Sequence, residues 1–224
     1  MGFNMERKKV IVFGTGDFSD IVSYVLEKVN HCEICGYTIN ENYISENKYQ
    51  NKPLMPFEKI EKICPPEDYD IVLGFIGKKM FDQRMEIFFQ IKEKGYKIPN
   101  VIHKSACVDT EKIGEGNIIM QNVSIEHHSI VGSGNIIWPN VVLPHHNILG
   151  DFNNLAPSVS LSGYSKIQNH CFLGNNSCVN NHVCVHSYAY VGAGAYAAKD
   201  VPEQHVLVPN RSYYLKDKTG FDFL

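Results

Sequence analysis

The sequence predicts an α/β N-terminal domain followed by a parallel β-helix, and two observations carry that prediction. The first is a six-residue period. Sampled every sixth residue from Val101 to Ala197, seventeen positions hold fifteen Val, Ile or Leu, with Cys107 and Ala197 as small apolar exceptions. Val, Ile and Leu supply only 53 of the 224 residues, so chance does not produce that column. A helix turning ~100° per residue would scatter such positions over three faces. A strand repeats every two residues, so a period of six reads as short strands, each turned against the next around one axis. A β-sandwich would show turn signals every ~8–12 residues and gives no reason for a constant phase. The second observation is an alternation of strand and helix patterns over the first hundred residues, which gives a small parallel α/β sheet.

In chain order, Lys8–Phe13 reads as a short buried strand, and GTGDFSD as a Gly-rich turn opening a helix through about Asn30. HCEICGYTI is a second strand, PFEKIEKI a helix, YDIVLGFI a third strand, and Lys79–Lys94 a helix ended by Gly95. KIPNVIHKSA then leads straight into the six-residue repeat without a Ser/Pro linker, so the two parts are expected to pack together. The expected domains are residues 1–100, 101–208 and a tail at 209–224. In the repeat, the residue four places after each aliphatic is small or β-branched, as at Val123, Ser129, Asn135, Val141 and Asn147. That suits a tight corner inside a narrow prism. Gly follows the aliphatic at Gly114, Gly132, Gly150, Gly174 and Gly192, where the expectation is a positive φ. Asn is frequent and tolerates the same region.

The turn Gly14-Thr15-Gly16-Asp17-Phe18-Ser19 is an imperfect G-x-G-x-x-G with Ser in the third place. A helix N-terminus beside such a turn suits a diphosphate. Tight-turn packing alone and dinucleotide binding are the alternatives, although the unit is too short for a full six-stranded NAD fold. The Rossmann-like reading gives Gly14, Thr15, Gly16, Asp17 and Phe18 as candidate substrate residues. Gly77 and Lys78, after the third strand, form a second candidate turn with Lys79.

A net charge of −3 and the lack of Lys/Arg clusters argue against nucleic acid. No apolar run approaches the ~18–20 residues of a membrane span, and MGFNMERKK lacks a secretory apolar region. Seven Cys in no disulfide spacing point to a reduced, cytoplasmic protein. The lone Cys32-x-x-Cys35 lies in a strand-like run and has no second pair, so no metal is expected.

From His127 on, eight His lie in the repeat: His127, His128, His145, His146, His170, His182, His186 and His205. The doublets in IEHHSIVG and LPHHNILG are eighteen residues apart, three hexads, and so share a corner on successive coils. His127 is expected beneath His145, His128 beneath His146, and Gly163-Tyr164 one coil above. Any single His here could be a solvated corner residue. Two stacked pairs beside a Gly suggest chemistry, without saying which His acts.

IWPNVVLPHHNILGDFNNLAPSVSLSG (137–163) resembles the active-site coil of bacterial nucleotide-sugar acetyltransferases, the UDP-4-amino-sugar N-acetyltransferases and their sialic-acid O-acetyltransferase relatives. NHCFLGNNSCV, VGAGAYAAKDVP and GYKIPNVIHKSA continue the likeness, which is strong over 95–202 and looser before it. The resemblance implies a left-handed β-helix, a homotrimer, acetyl-CoA as acyl donor along the seam between subunits, and a nucleotide-linked amino sugar on the N-terminal domain. It implies His145 as general base, Gly163 as the N–H donor to the thioester oxygen, and a CoA site at Asn154, Gly163, Gly174, Asn175, Gly192, Ala193, Gly194 and Ala195. Relatives carry Glu or Asp after the base. Here His146 stands there, as a candidate catalytic residue, with Glu126 as the other possible substitute. Asp17-Phe18 replace a His of some relatives, and Val208-Pro209-Asn210-Arg211 replaces a Gly-x-Pro-Ala segment. The expected activity is N-acetylation for surface polysaccharide or glycan synthesis. The alternatives are sugar O-acetylation and, less favoured, γ-type carbonic anhydrase chemistry at His146, His182 and His186.

Overall fold

A computed structural model describes residues 9–78, 81–210, 212, 214, 216 and 221. Lys8, Lys79, Arg211 and most of the expected tail lie outside the described residues.

The first part is a five-stranded sheet in the order β3-β4-β2-β1-β5. Strands β1 (Lys9–Phe13), β2 (Ile34–Ile39) and β5 (Tyr69–Leu73) are the expected ones. A hairpin of β3 (Lys48–Tyr49) and β4 (Lys52–Pro56) adds two more, β4 running parallel to β2. Its turn residues Gln50 and Asn51 both have positive φ, as a type I′ hairpin loop requires. Helix α1 (Asp17–Tyr24) carries Asp17 and Asp20 in its first turn, where the helix dipole favours acids. It runs on through a π turn at Val25–Val29. The expected PFEKIEKI helix is shorter: a 3₁₀ turn at Phe57–Lys59 and α2 (Ile60–Ile63). The last helix, α3, spans Asp82–Glu93.

From Val101 the chain winds into a parallel β-helix of two-residue strands on three faces. Face I carries Ile118–Ile119, Ile136–Ile137, Asn154–Leu155, Phe172–Leu173 and Tyr190–Val191. Face II carries Ser124–Ile125, Val142–Leu143, Ser160–Leu161 and Cys178–Val179. Face III carries Ile130–Val131, Ile148–Leu149, Lys166–Ile167 and Cys184–Val185. Both expected columns are inside. Leu143, Leu149, Leu155 and Leu161 are at most 2% exposed, and the corner residues Val141, Asn147, Asn153 and Val159 at most 1%. Buried Asn135 and Asn153 form a ladder, each side-chain oxygen accepting the backbone N–H one coil above.

Two expectations need correction. The period is not unbroken from Val101: Val101 pairs with Ile118 and Cys107 with Ser124, an offset of seventeen rather than eighteen. Ile102 and Val108 therefore point into the coil, whereas Val101 faces outward toward α1 and Cys107 is exposed. Each pair of neighbours, Val101-Ile102 and Cys107-Val108, offers an apolar residue in either phase, so periodicity could not separate them. The last coil is also short, with Tyr190 pairing with Val206.

The second correction concerns glycine. Gly114, Gly132, Gly150, Gly174 and Gly192 do not have positive φ. They are needed where coils stack closely: a Cβ on Gly132 would lie 2.6 Å from the Gly150 oxygen. The positive φ falls two residues later, at Gly116, Gly134, Phe152, Asn176 and Gly194, and at the matching corner positions Asn122, His128, Asn140, His146, Ser158, Tyr164, His170, His182 and Tyr188.

The two parts pack on face I. Ile118, Met120 and Ile136 join Val22, Val25, Leu26 and Val29 in one core cluster, and Phe88 of α3 meets Phe152 edge-on at 5.4 Å. Arg84, 1% exposed, crosses this junction. Its Nε donates to the Gly134 oxygen (2.8 Å) and Nη2 to Gly116 (3.3 Å), while Nη1 reaches the Phe75 oxygen on the other part. Desolvation lowers its pKa to about 9, which leaves it a cation at neutral pH. With the Leu73 oxygen (3.4 Å from Nη1), four carbonyl dipoles thus surround a buried charge.

Candidate active site

Chain order around the prism is face I, then II, then III, so three edges result. The His doublets lie on the edge between faces II and III. Pro144, His145, His146 and Asn147 link Val142–Leu143 to Ile148–Leu149. His146 takes φ 60°; its ring lies 4.8 Å from His128 below, tilted by 38°, and stacks on Tyr164 above (4.7 Å). Tyr164 in turn stacks on His182 at 5.0 Å and 8°. His127 and His145 share a column, yet their rings are 6.4 Å apart and do not stack closely. The His145 ring instead lies under Gly163: a Cβ there would come within 2.8 Å of its Cε1. Among the described residues, no acceptor takes the Gly163 N–H.

His145 Nδ1 is 3.1 Å from His146 Nδ1. Glu126 does not reach that imidazole through a hydrogen bond. Its carboxylate accepts the His145 backbone N–H at 3.0 Å, fixing the turn. Partial desolvation, followed by the nearby imidazoles His128, His145 and His127, holds the His146 pKa below the ordinary imidazole value.

Apart from Gly163, the residues assigned to CoA lie elsewhere. Gly174-Asn175 and Gly192-Ala193-Gly194-Ala195 follow the face I strands and form the edge between faces I and II. They stack coil on coil, with Ala193 N only 2.5 Å from where a Gly174 Cβ would be. Asn154 is on face I, 4% exposed, and its Oδ1 accepts the Trp138 indole N–H at 3.0 Å. Trp138 meets Phe18 at 5.6 Å. Phe18 is therefore a core side chain at the junction, and only its backbone faces the Gly turn.

The Gly turn itself follows β1, and Gly74–Lys78 follows β5. These two strands are the switch point of the sheet, since the chain leaves β1 for β2 and β4 on one side and returns to β5 on the other. Open α/β sheets bind ligands there, beyond the carboxyl ends of the strands. The two turns touch: a Gly14 Cβ would be 2.7 Å from the Gly74 oxygen. Thr15, Gly16, Asp17 and Lys78 are exposed, with Gly77 half-buried. Gly16, at φ 102°, donates its N–H to the Tyr49 hydroxyl at 2.8 Å. Tyr49 also hydrogen-bonds Asp20, as does Gln50. Burial, then that bond to Asp20, raises the Tyr49 pKa.

A second ring stack occupies the edge between faces III and I. His170 lies between Phe152 (5.6 Å) and Tyr188 (4.7 Å), and Asp82 of α3 contacts both His170 Nδ1 (3.3 Å) and the Tyr188 hydroxyl (3.0 Å). Asp82, Tyr188, Tyr190, Gln204 and Val206 line an open groove of about 710 Å³.

One chain thus brings His145, His146 and Gly163 together, and separately the CoA residues and the two turns. It does not join these groups. The three His of the carbonic anhydrase alternative do not converge within one chain: Tyr164 is interposed between His146 and His182, and His186 is on the next edge. Among the described residues, no group of three or more His, Cys, Asp and Glu is placed to hold a metal ion. Nor is any described helix long and apolar enough to cross a membrane. Sequence reasoning missed Tyr49, Trp138, Arg84 and Asp82, which act across elements distant in sequence and leave no local pattern.

The architecture is that of hexapeptide-repeat proteins, and residues 112–145 match the family model described as bacterial transferase hexapeptide (six repeats). Solved structures share the fold along most of the chain. PerB from Caulobacter crescentus, solved with CoA and GDP-perosamine, matches with TM-score 0.78 at 20% identity, covering 90% of this chain and 94% of its own. The acetyltransferase domain of PglB from Neisseria gonorrhoeae, solved with acetyl coenzyme A, gives 0.78 at 22% identity, covering 93% and 100%. WeeI from Acinetobacter baumannii gives 0.75 at 18%, covering 92% and 99%.

Proposed function

We propose that this protein is an acetyl-CoA-dependent N-acetyltransferase acting on the amine of a nucleotide-linked amino-deoxysugar, for surface glycan synthesis. In this reading a small Rossmann-like unit (1–100) holds the nucleotide sugar, and a left-handed β-helix (101–208) holds the acyl donor. The observation that carries it is the seating of Gly163 on the His145 ring, which places a base and an unengaged N–H donor side by side on the edge between faces II and III. His145 Nε2 takes a proton as the sugar nitrogen attacks the thioester carbonyl, and the Gly163 N–H holds the oxygen as it gains charge. One such donor is typically worth about 3–4 kcal/mol in the transition state. Collapse of the tetrahedral adduct releases the CoA thiolate, which takes up a proton, and leaves an amide.

The same reading makes the enzyme a homotrimer. The edge bearing His145 and Gly163 faces away from face I, on which the α/β unit packs, and the glycine-rich CoA stretches at 174–175 and 192–195 occupy another edge. A complete site then needs the base of one chain beside the sugar-binding unit of another. Support comes from the fold shared with PerB and with the PglB domain, which bind CoA or acetyl coenzyme A, and, for PerB, GDP-perosamine.

The test is turnover. Purified protein with acetyl-CoA and a panel of UDP-, dTDP- and GDP-linked amino sugars should release free CoA with one of them. The product should survive hydroxylamine, which cleaves esters but not amides. A hydroxylamine-labile product would move the assignment to O-acetylation. No thiol release with any acceptor, amine or hydroxyl, would overturn the reading.

A further inference from the structure

We propose that Arg84 is a positioning residue for the reaction, a buried clip that holds the second substrate turn, residues 74–78, in fixed register with the coil. The inference rests on the proposed placement of the nucleotide sugar on the α/β unit and of the base on the coil.

Arg84 lies near the start of α3, and its guanidinium faces two ways. Nη1 donates to the Leu73 oxygen (3.4 Å) and to the Phe75 oxygen, where the chain leaves β5 for the turn. Nε donates to the Gly134 oxygen (2.8 Å) and Nη2 to the Gly116 oxygen (3.3 Å), equivalent positions on successive coils. The coil is bare at this point: a Cβ on Gly116 would lie 2.9 Å from the Phe88 ring of α3. The turn also rests on the Arg84 backbone, since a Cβ on Gly77 would be 3.0 Å from Arg84 N. Gly14 in turn packs against the Gly74 oxygen and Phe75 Cβ. One side chain therefore ties the floor of both turns to the coil.

The charge makes this tie directional. Among the described residues, no carboxylate forms an ion pair with Arg84. A carboxylate would neutralise a buried cation from several directions, whereas a carbonyl does so only with its oxygen aimed at the N–H. A shift of the turn would leave a charged, buried donor unmatched, which costs more than the loss of a neutral hydrogen bond. The other contacts from α3 do not reach the turn. Asp82 meets His170 and Tyr188, and Lys92 meets Glu115, all on the coil.

In the proposed reaction the turn carries the substrate and the coil carries the base. The separation of the reacting atoms then inherits any slack in the clip. A misplacement of ~1 Å costs up to about 10²-fold in rate. Affinity for each substrate is set within its own part of the molecule, so the loss should fall on kcat.

The test uses Arg84→Lys and Arg84→Gln in the full chain, assayed with acetyl-CoA and the amino sugar identified above, at a temperature where each is folded. Lys keeps the charge and Gln a donor, yet neither spans both sets of carbonyls. Each should lower kcat by roughly 10–10²-fold, with calorimetric Kd values for both substrates within about threefold of wild type. Hydrogen exchange should quicken at residues 74–78 in both. His170→Phe loosens the same junction without touching the turn, and should keep wild-type kcat and exchange there. Wild-type kcat and exchange in both Arg84 variants, whatever their melting temperatures, would overturn the positioning role and leave the proposed activity standing. An equal loss of kcat in His170→Phe would also overturn it, by showing that any loosening of the junction suffices. Wild-type protein that acetylates no amino sugar would overturn the activity and this role together. If neither Arg84 variant folds, exchange in the wild type decides. Residues 74–78 exchanging as fast as the exposed residues 45–47 would count against the clip, and protection there would support it.

Discussion

Two edges of the coil carry aromatic ladders in the same backbone slot, and they are covered differently. On one, His128, His146, Tyr164 and His182 are exposed to solvent. On the other, Phe152 is 3% and His170 4% exposed, sealed by α3, and Asp82 anchors the rings. Both ladders fill positions with φ between 54° and 62°. The coil rise of ~4.8 Å equals the spacing of stacked rings, so side chains from successive coils meet face to face. The slot sets the stacking. What lies over it decides whether the rings are free for chemistry or committed to holding two parts together.

Substitutions at matched positions test that difference. The largest effect is expected at His145→Ala, a loss of ~10²–10⁴-fold in turnover with an unchanged melting curve. His127→Ala, one coil below, should be much milder. Equal losses for both in a steady-state assay would show that the base has been misassigned. Next in size is Gly16→Val. Nothing lies within 4 Å of a Cβ there, so the penalty is the backbone at φ 102° rather than a clash. Nucleotide-sugar affinity should fall about tenfold, on the order of 1–2 kcal/mol of strain, with acetyl-CoA affinity unaltered. Calorimetric titration of each ligand separates this from a general loss of stability, which would weaken both. The smallest effect is expected at His170→Phe, the counterpart on the buried edge. It keeps the stack and loses the Asp82 contact, so stability should fall by about 1–2 kcal/mol and Tm by roughly 2–6 °C. Turnover should not change. A rate loss here without a shift in Tm would mean the two edges are not functionally distinct.

The coil was legible because one environment recurs many times, and errors in any single position are outvoted by the column. Its ends were not, since Val101-Ile102 and Cys107-Val108 satisfy two registers equally. Glycine was misread because composition cannot separate a residue chosen for positive φ from one chosen for close backbone stacking. The hairpin of β3 and β4 escaped notice because Gln50-Asn51 lacks the glycine that usually marks such a turn. In the site, spacing placed the His doublets and the Gly163-Tyr164 corner above them. It could not say that Glu126 would bind backbone and His146 the imidazole, since both lie one side chain's reach from His145. Arg84 and Asp82 were invisible for a simpler reason: their hydrogen-bond partners on the coil are 32 to 106 residues away along the chain.

The distance between the Gly turn and His145 within one chain bears on how defects combine. If each site borrows its base from a neighbouring chain, a molecule lacking the base and a molecule with a damaged sugar turn are complementary cripples. Co-expressed, His145→Ala and Gly16→Val chains should assemble some mixed rings in which an intact turn meets an intact histidine. Activity should then reappear from two parents that have little alone. A population carrying both alleles would look healthy, and only segregation would expose the loss.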